Sequence, residues 1–128
     1  DGGPTVLTSP VIDHSAGGGV LSYRYWVSVS SAGDFLVVEV TDDGATWVEA
    51  RRYEGDPREW KLDAFHLEDF ISPSAQTQVR LTISDNPNNA LVEAGVDSVS
   101  VITAGCTPLI FSDDFESGDF SAWSGTVP

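Results

Sequence analysis

A two-residue alternation of apolar and polar side chains runs through most of this chain, and it limits the fold more than any other feature. In the segment VLSYRYWVSVS (20–30), every second residue is large and apolar, namely Leu21, Tyr23, Tyr25, Val27 and Val29. Successive side chains of a strand point to opposite faces, so this pattern predicts a strand with one buried face. Trp26 breaks the pattern, because it is a large aromatic residue on the polar side.

The same period recurs in short segments that are separated by turn signals. Further strands are predicted at 35–41, 45–53, 77–84 and 90–102. Asp-Gly at 43–44 favours a tight hairpin between the first two of these, and 61–71 fits either a strand end or a short helix. Short strands with almost no helix predict an all-β fold, an antiparallel two-sheet β-sandwich. Jelly-roll and immunoglobulin-like topologies both fit this pattern.

A change of composition after AGCTP (104–108) divides the chain into two parts. We expect a β-sandwich module over 1–104 and a distinct C-terminal segment over 105–128. That segment contains SDDFESGDFSAW (112–123), which is rich in aromatic residues for a position so near a terminus. It is interpreted as a closing strand, a linker or the start of a further module.

The net charge of −14, from 20 acidic and six basic residues, restricts the classes of partner. Nucleic acid is not expected, because its binding depends on Lys and Arg that neutralise phosphates. Membrane insertion is not expected either, since no apolar run approaches the length of a spanning helix. An acidic β domain indicates either solubility through self-repulsion or the binding of divalent cations, above all calcium. The lone Cys106 is interpreted as a thiol with a partner elsewhere, a free thiol or a small buried hydrophobe.

Asp13, His14 and Ser15 are the residues that most suggest catalysis, because they are adjacent in the sequence. A Ser-His-Asp triad is assembled from separate loops, however, and neighbours on a strand point to opposite faces. The chain also lacks a Gly-x-Ser-x-Gly elbow, a His-Glu-x-x-His helix and a phosphate-binding loop. We therefore predict that the chain is not itself an enzyme.

Four short motifs stand along the chain, namely LTSPVID (7–13), GDFLVVEVTDDGATW (33–47), VRLTISD (79–85) and VEAGVDSVSV (92–101), with Trp60 between the second and the third. Together they resemble the jelly-roll accessory modules of the MAM-like or carbohydrate-binding-module-like kind. Such modules occur beside the catalytic domains of secreted bacterial hydrolases, including metallopeptidases and carboxypeptidases. The resemblance implies a jelly-roll sandwich, often with a structural calcium ion, and an accessory role in binding or adhesion.

The C-terminal segment matches a part of that pattern which is missing from the N-terminus. The modules usually open with an FE…W strand upstream of SPVID, but this chain has only DGGPTV there. Phe115 and Glu116 resemble the missing strand, and FESGD…W also resembles a recurring tail of secreted bacterial proteins. We therefore predict that 109–117 pairs with a sheet, in this molecule or in a neighbouring one by strand exchange.

Carboxylates near the predicted strand ends are candidate calcium ligands, because calcium takes about six to eight oxygen ligands, here expected from loops at a sheet edge. The candidates are Asp34, Asp85, Glu93, Asp97 and Glu116. Glu93 and Asp97 lie roughly 13 Å apart on one strand face, so they hold one ion together only if a bulge at Gly95 brings them closer. The modules that this chain resembles usually have two adjacent acidic residues at this position, where this chain has Asp97-Ser98.

Three residues are candidates for ligand binding, namely Arg24, Trp26 and Trp60. Exposed aromatic rings stack on sugars, whereas most aromatic residues of a small sandwich belong to its core. Trp26 lies on the polar side of its strand beside Arg24, which suits contact with a ligand or a neighbouring domain. The other interpretation is that the C-terminal segment covers Trp26.

The function predicted from these features is a non-catalytic accessory module of a secreted or cell-surface multidomain bacterial protein. It is expected to bind a glycan or a protein surface, to contact neighbouring domains of its parent chain and to hold a structural calcium ion. The main alternative is a structural spacer without a ligand. A weaker alternative is a part of a hydrolase that contributes to its active site.

Overall fold

The computed structural model describes residues 4–29, 31–85, 91–103, 111–113, 115, 116, 118, 121 and 123–127. Within them the chain forms nine β-strands and one turn of 3₁₀ helix at Leu67–Asp69. The strands are β1 (Thr5–Thr8), β2 (Gly19–Ser28), β3 (Phe35–Thr41), β4 (Val48–Tyr53), β5 (Lys61–His66), β6 (Gln78–Ser84), β7 (Glu93–Thr103), β8 (Phe111–Asp113) and β9 (Gly125–Val127).

These strands form two antiparallel sheets. The five-stranded sheet has the order β4-β3-β6-β1-β9, and the four-stranded sheet has the order β5-β2-β7-β8. The prediction of an all-β, two-sheet sandwich is confirmed. The jelly-roll topology stays a prediction. Among the described residues, no helix has the length and apolar content needed to cross a membrane.

The core lies between the sheets and is built by the alternation seen in the sequence. Leu21, Tyr23 and Val27 of β2 are buried, as are Leu36 and Val38 of β3. Buried residues of both sheets form one cluster with Phe65, Leu67, Val79, Leu81, Val99 and Val101. The burial of one face of each central strand supplies most of the driving force for folding, because it removes apolar surface from water.

Strand ends differ from the predicted ones where side chains bond to the backbone. The strand predicted from residue 45 begins at Val48. Asp43 Oδ1 accepts the backbone N–H groups of Ala45 (2.8 Å) and Thr46 (2.7 Å), which bends these residues into the hairpin turn. Gly44 has a positive φ of 73° in this turn, as the Asp-Gly sequence predicts.

The ambiguous segment 61–71 combines both predicted alternatives. It is a strand up to His66, and a 3₁₀ turn follows. The backbone N–H groups of Phe70 and Ile71 both donate to the carbonyl of Leu67 at 3.0 Å, and the Leu67 side chain is fully buried. The turn therefore carries one apolar anchor into the core immediately after the strand.

The C-terminal segment adds one strand to each sheet. β8 pairs with β7 and β9 pairs with β1, both within the same chain. The pairing predicted for 109–117 is confirmed for Phe111–Asp113. It is wrong for Phe115 and Glu116, because Phe115 has a positive φ of 57° outside any strand and Glu116 lies in a turn. Residues 109, 110, 114 and 117 lie outside the described ones. Four-residue β1, which the sequence pattern did not predict, provides the partner for β9.

Candidate functional site

The outer face of the four-stranded sheet brings together all three residues predicted to bind a ligand. Arg24 and Trp26 alternate with Tyr23 and Val27, which are buried, so they point away from the core. Arg24 is exposed and Trp26 is half-buried. Trp60, immediately before β5, is 52% exposed.

Strand register places specific neighbours beside these residues. Arg24 lies opposite Leu62 of β5 and opposite Asp97 of β7, and Trp26 lies opposite Gly95. Directly opposite residues of antiparallel strands project from the same face. The outer face therefore carries an ionic row next to an aromatic row.

The indole of Trp60 reaches across β2 to β7. A Cβ atom added at Gly95 would lie 2.9 Å from Cη2 and 3.4 Å from Cζ2 of Trp60, which is closer than real Cβ atoms pack. Glycine at position 95 thus lets the ring approach the sheet. The bulge considered at Gly95 lies instead near Ser98, which has a positive φ of 54°.

Leu62 belongs to the same face and is 65% exposed, although the sequence did not mark it as a site residue. It alternates with Asp63, whose carboxylate points inward and accepts from Arg51 Nε (3.1 Å) and the Tyr53 hydroxyl (2.5 Å). An apolar residue normally predicts the buried side of a strand. Here Asp63 and Phe65 point inward, so Leu62 between them points outward. No local signal could have identified it.

The charges of this face differ from those of the rest of the molecule. Five of the six basic residues form ion pairs, namely Arg51–Asp63, Arg52–Glu49, Arg58–Asp56, Lys61–Glu59 and Arg80–Glu39. In the described part of the chain, the guanidinium of Arg24 takes part in no ion pair or hydrogen bond, although Asp97 lies opposite. Its donors are available to a ligand.

On the opposite outer face, which belongs to the five-stranded sheet, two arginines already have partners within the chain. The Arg52 guanidinium stacks 3.7 Å from the centre of the Phe35 ring and also pairs with a glutamate. Arg80 lies 4.2 Å from the centre of the Trp47 ring and donates to Glu39 at 2.8 Å. Rings and cations on that face are already engaged with each other, unlike Trp60 and Arg24.

The five predicted calcium ligands are divided among three places. Asp34 is buried just before β3, and the pairing of Phe35 with Ser84 puts Asp85 at the same end of that sheet. Glu93 and Asp97 are on the outer face of the other sheet, and Glu116 follows β8. Within the residues that the structure describes, no three or more His, Cys, Asp or Glu side chains form a group suited to a metal. Calcium stays a prediction, and Asp34 with Asp85 is the pair best placed for it.

His14 has partners that resemble a catalytic triad but occupy the interior. Its Nε2–H donates to Glu68 Oε1 at 3.0 Å, and Nδ1 lies 3.1 Å from Thr77 Oγ1. His14 and Thr77 are both 0% exposed, so a substrate has no access to the hydroxyl. Asp13 and Ser15, the sequence neighbours, instead bond to each other in a local turn. This arrangement joins distant segments, since Thr77 is 63 residues from His14.

A second interior network joins the two sheets through tyrosines. The hydroxyls of Tyr23 and Tyr53 are 2.5 Å apart, and Tyr53 stacks on Tyr25 with ring centres 3.8 Å apart. Burial, more than any other cause, raises the pKa of both Tyr23 and Tyr53 well above the ordinary value for tyrosine. These hydroxyls therefore stay protonated and serve packing and hydrogen bonding rather than acid–base chemistry.

Comparison with known proteins adds no family to these observations. Neither the family models nor the curated proteins contain a match to this chain.

Proposed function

We propose that this chain is a non-catalytic accessory module of a secreted or cell-surface multidomain bacterial protein, and that it binds a glycan on the outer face of its four-stranded sheet. The observation that carries the proposal is the exposed indole of Trp60, which lies over Gly95 beside the uncommitted guanidinium of Arg24. The resemblance to MAM-like modules supports the accessory role.

The chemistry of this face suits a sugar. The apolar side of a pyranose ring packs on the flat face of an indole, which buries area without a large loss of side-chain freedom. Sugar hydroxyls both donate and accept, and the face offers donors on Arg24 and acceptors on Asp97. The hydroxyls of Ser22 and Ser100, 3.0 Å apart on the next row, extend the polar strip.

A structural spacer is the main rival, and the difference between the two outer faces argues against it. A spacer has no need of an uncommitted arginine beside an exposed tryptophan, whereas on the five-stranded sheet Arg52 and Arg80 of the outer face stack on aromatic rings. A protein surface, including a neighbouring domain of the parent chain, is the other rival. It would bury the same apolar residues without requiring a sugar.

Trp60→Ala is the variant that tests the binding face. We expect at least about a thirtyfold loss of affinity for the glycan that binds best in an array, because a central aromatic anchor contributes about 2 kcal/mol or more. Gly95→Ala should also weaken binding. This variant keeps the Trp60 ring, but the new Cβ displaces it. Isothermal titration calorimetry measures both effects.

Trp47→Ala is the matched control, because Trp47 lies on the opposite outer face and stacks with Arg80. It should bind with unchanged affinity while circular dichroism confirms a folded chain. Equal losses in the Trp47 and Trp60 variants would contradict the proposed location of the site. If no glycan in the array binds the unmodified chain, the spacer or protein-surface interpretation replaces this proposal.

We also propose that calcium binds near Asp34 and Asp85, which are hard oxygen ligands at one end of the five-stranded sheet. Calcium at a hundred times its dissociation constant should raise the free energy of unfolding by about 2.7 kcal/mol. Thermal melting with calcium and with a chelator measures the shift. Asp34→Asn should abolish it, whereas Asp56→Asn, in the exposed loop after β4, should retain it. Identical midpoints in saturating calcium and in chelator would contradict the proposal.

A further inference from the structure

We propose that the glycan bound by the outer face carries a protonated amine, so that the ligand class is an amino sugar rather than a neutral or acidic one. This inference rests on the proposed function. It concerns the group that is recognised beside Trp60, and it is argued from the two carboxylates that flank Gly95 on β7.

The end of the Trp60 indole lies over Gly95, and two carboxylates flank this position on β7. Glu93 and Asp97 are each two residues from Gly95, so all three project from the same face with about 7 Å between successive positions. An exposed indole on a sheet face that also carries carboxylates attracts an ammonium group in two ways, through the quadrupole of the ring and through opposite charge.

The balance of charge on this face favours a cation. Arg24 lies directly opposite Asp97, so these two charges largely offset each other. Glu93 is exposed and lies opposite Ser28, and within the described residues its carboxylate takes part in no hydrogen bond or ion pair. One carboxylate next to the indole thus remains uncompensated.

The charge of the whole chain acts in the same direction. A net charge of −14 attracts cationic ligands and repels acidic polysaccharides during diffusional encounter. Screening at physiological salt limits this attraction to about 8 Å, so the groups on the face itself decide which ligand stays bound. The adjoining donors and hydroxyls of Arg24, Ser22 and Ser100 provide contacts for sugar hydroxyls that a simple amine would not use.

The test compares a short glucosamine oligosaccharide with its fully N-acetylated counterpart by isothermal titration calorimetry, at a mildly acidic pH that protonates the free amines. We expect the amine form to bind about tenfold more tightly. Glu93→Gln should reduce this preference roughly threefold. Glu54→Gln makes the same change in net charge in the exposed loop after β4 and should leave the preference unaltered.

The possible results separate this inference from the proposed function. Equal or tighter binding of the N-acetylated sugar, or preference for a uronic acid oligosaccharide, overturns the amine inference and leaves glycan binding intact. A lysine-rich peptide that binds as tightly as the amino sugar also overturns it, because recognition would then involve charge alone. If neither these sugars nor any glycan of an array binds, both proposals fail together.

Discussion

Replacing Trp123 with alanine is expected to lower the free energy of unfolding by about 3–5 kcal/mol. Trp123 is only 7% exposed, although only five residues follow it in the sequence. Its ring is perpendicular to that of Phe111 and parallel to that of Phe115, with centres 5.5 and 5.8 Å apart. Its Nε1–H also donates to Asp113 Oδ2 at 2.5 Å. The substitution therefore removes the central ring of an aromatic cluster and leaves a half-buried carboxylate oxygen without this donor.

Chemical denaturation followed by circular dichroism measures this loss, and Trp60→Ala provides the matched control. Both variants remove one indole, but Trp60 is half exposed and should change stability by less than about 1 kcal/mol. An unfolding free energy in Trp123→Ala as high as that of the control would mean that the C-terminal segment does not contribute to the sandwich. The segment would then be better described as a linker.

His14→Ala is expected to lower the free energy of unfolding by about 3 kcal/mol, because it opens a cavity and removes two interior hydrogen bonds. The imidazole is completely buried between Glu68 and Thr77. Gly19 packs directly on it, since an added Cβ there would lie 2.7 Å from His14 Cδ2. The ring thus joins the segment after β1, the 3₁₀ turn after β5 and the start of β6.

His66→Ala is the control for this variant, because His66 is the only other histidine and its side chain is exposed on β5. Its substitution should change stability by no more than about 0.5 kcal/mol. Urea denaturation of both variants gives the comparison. A loss in His14→Ala no larger than that in His66→Ala would show that the buried hydrogen bonds contribute nothing net.

The contribution of Glu68 should also depend on pH. Partial burial raises its pKa, but hydrogen bonds from the backbone amides of Glu68 and Gly19 and from His14 outweigh burial and hold the pKa below its usual value. The unfolded chain therefore binds more protons than the folded one near the ordinary pKa of glutamate, about 4.3. The stability from this group is complete above that pH and declines as the pH falls through the lowered value. Glu68→Gln should flatten this part of the stability curve.

The strands were predictable because the direction of a side chain on a strand is a local property. The alternation around Tyr23 and Val27 was enough to assign β2 and its buried face, and it placed Arg24 and Trp26 on the other side. The Asp-Gly turn was equally local. Short strands such as β1 and β9 offer too few residues for a period to be recognised, so they had to be found by their pairing.

The candidate binding face was predictable only in part. Arg24, Trp26 and Trp60 were each identified, but nothing in the sequence said that Trp60 crosses β2 to lie over Gly95. Leu62 was missed because apolar residues are usually buried. The candidate calcium ligands were chosen by residue type, and residue type does not reveal that Glu93 lies on one sheet whereas Asp34 precedes a strand of the other.

The sequence by itself determined the β class, the turn at Asp43-Gly44 and the faces of the central strands, since these follow from backbone preference and from neighbours one or two residues away. Only the tertiary structure decided the partners of His14, the burial of Trp123 and the exposure of Trp60. Those depend on strand order and register, which arise when segments far apart in the chain compete to bury the same apolar surface. The local alternation indicates which side of a strand is apolar, but the packing of the two sheets decides which residues cover that side.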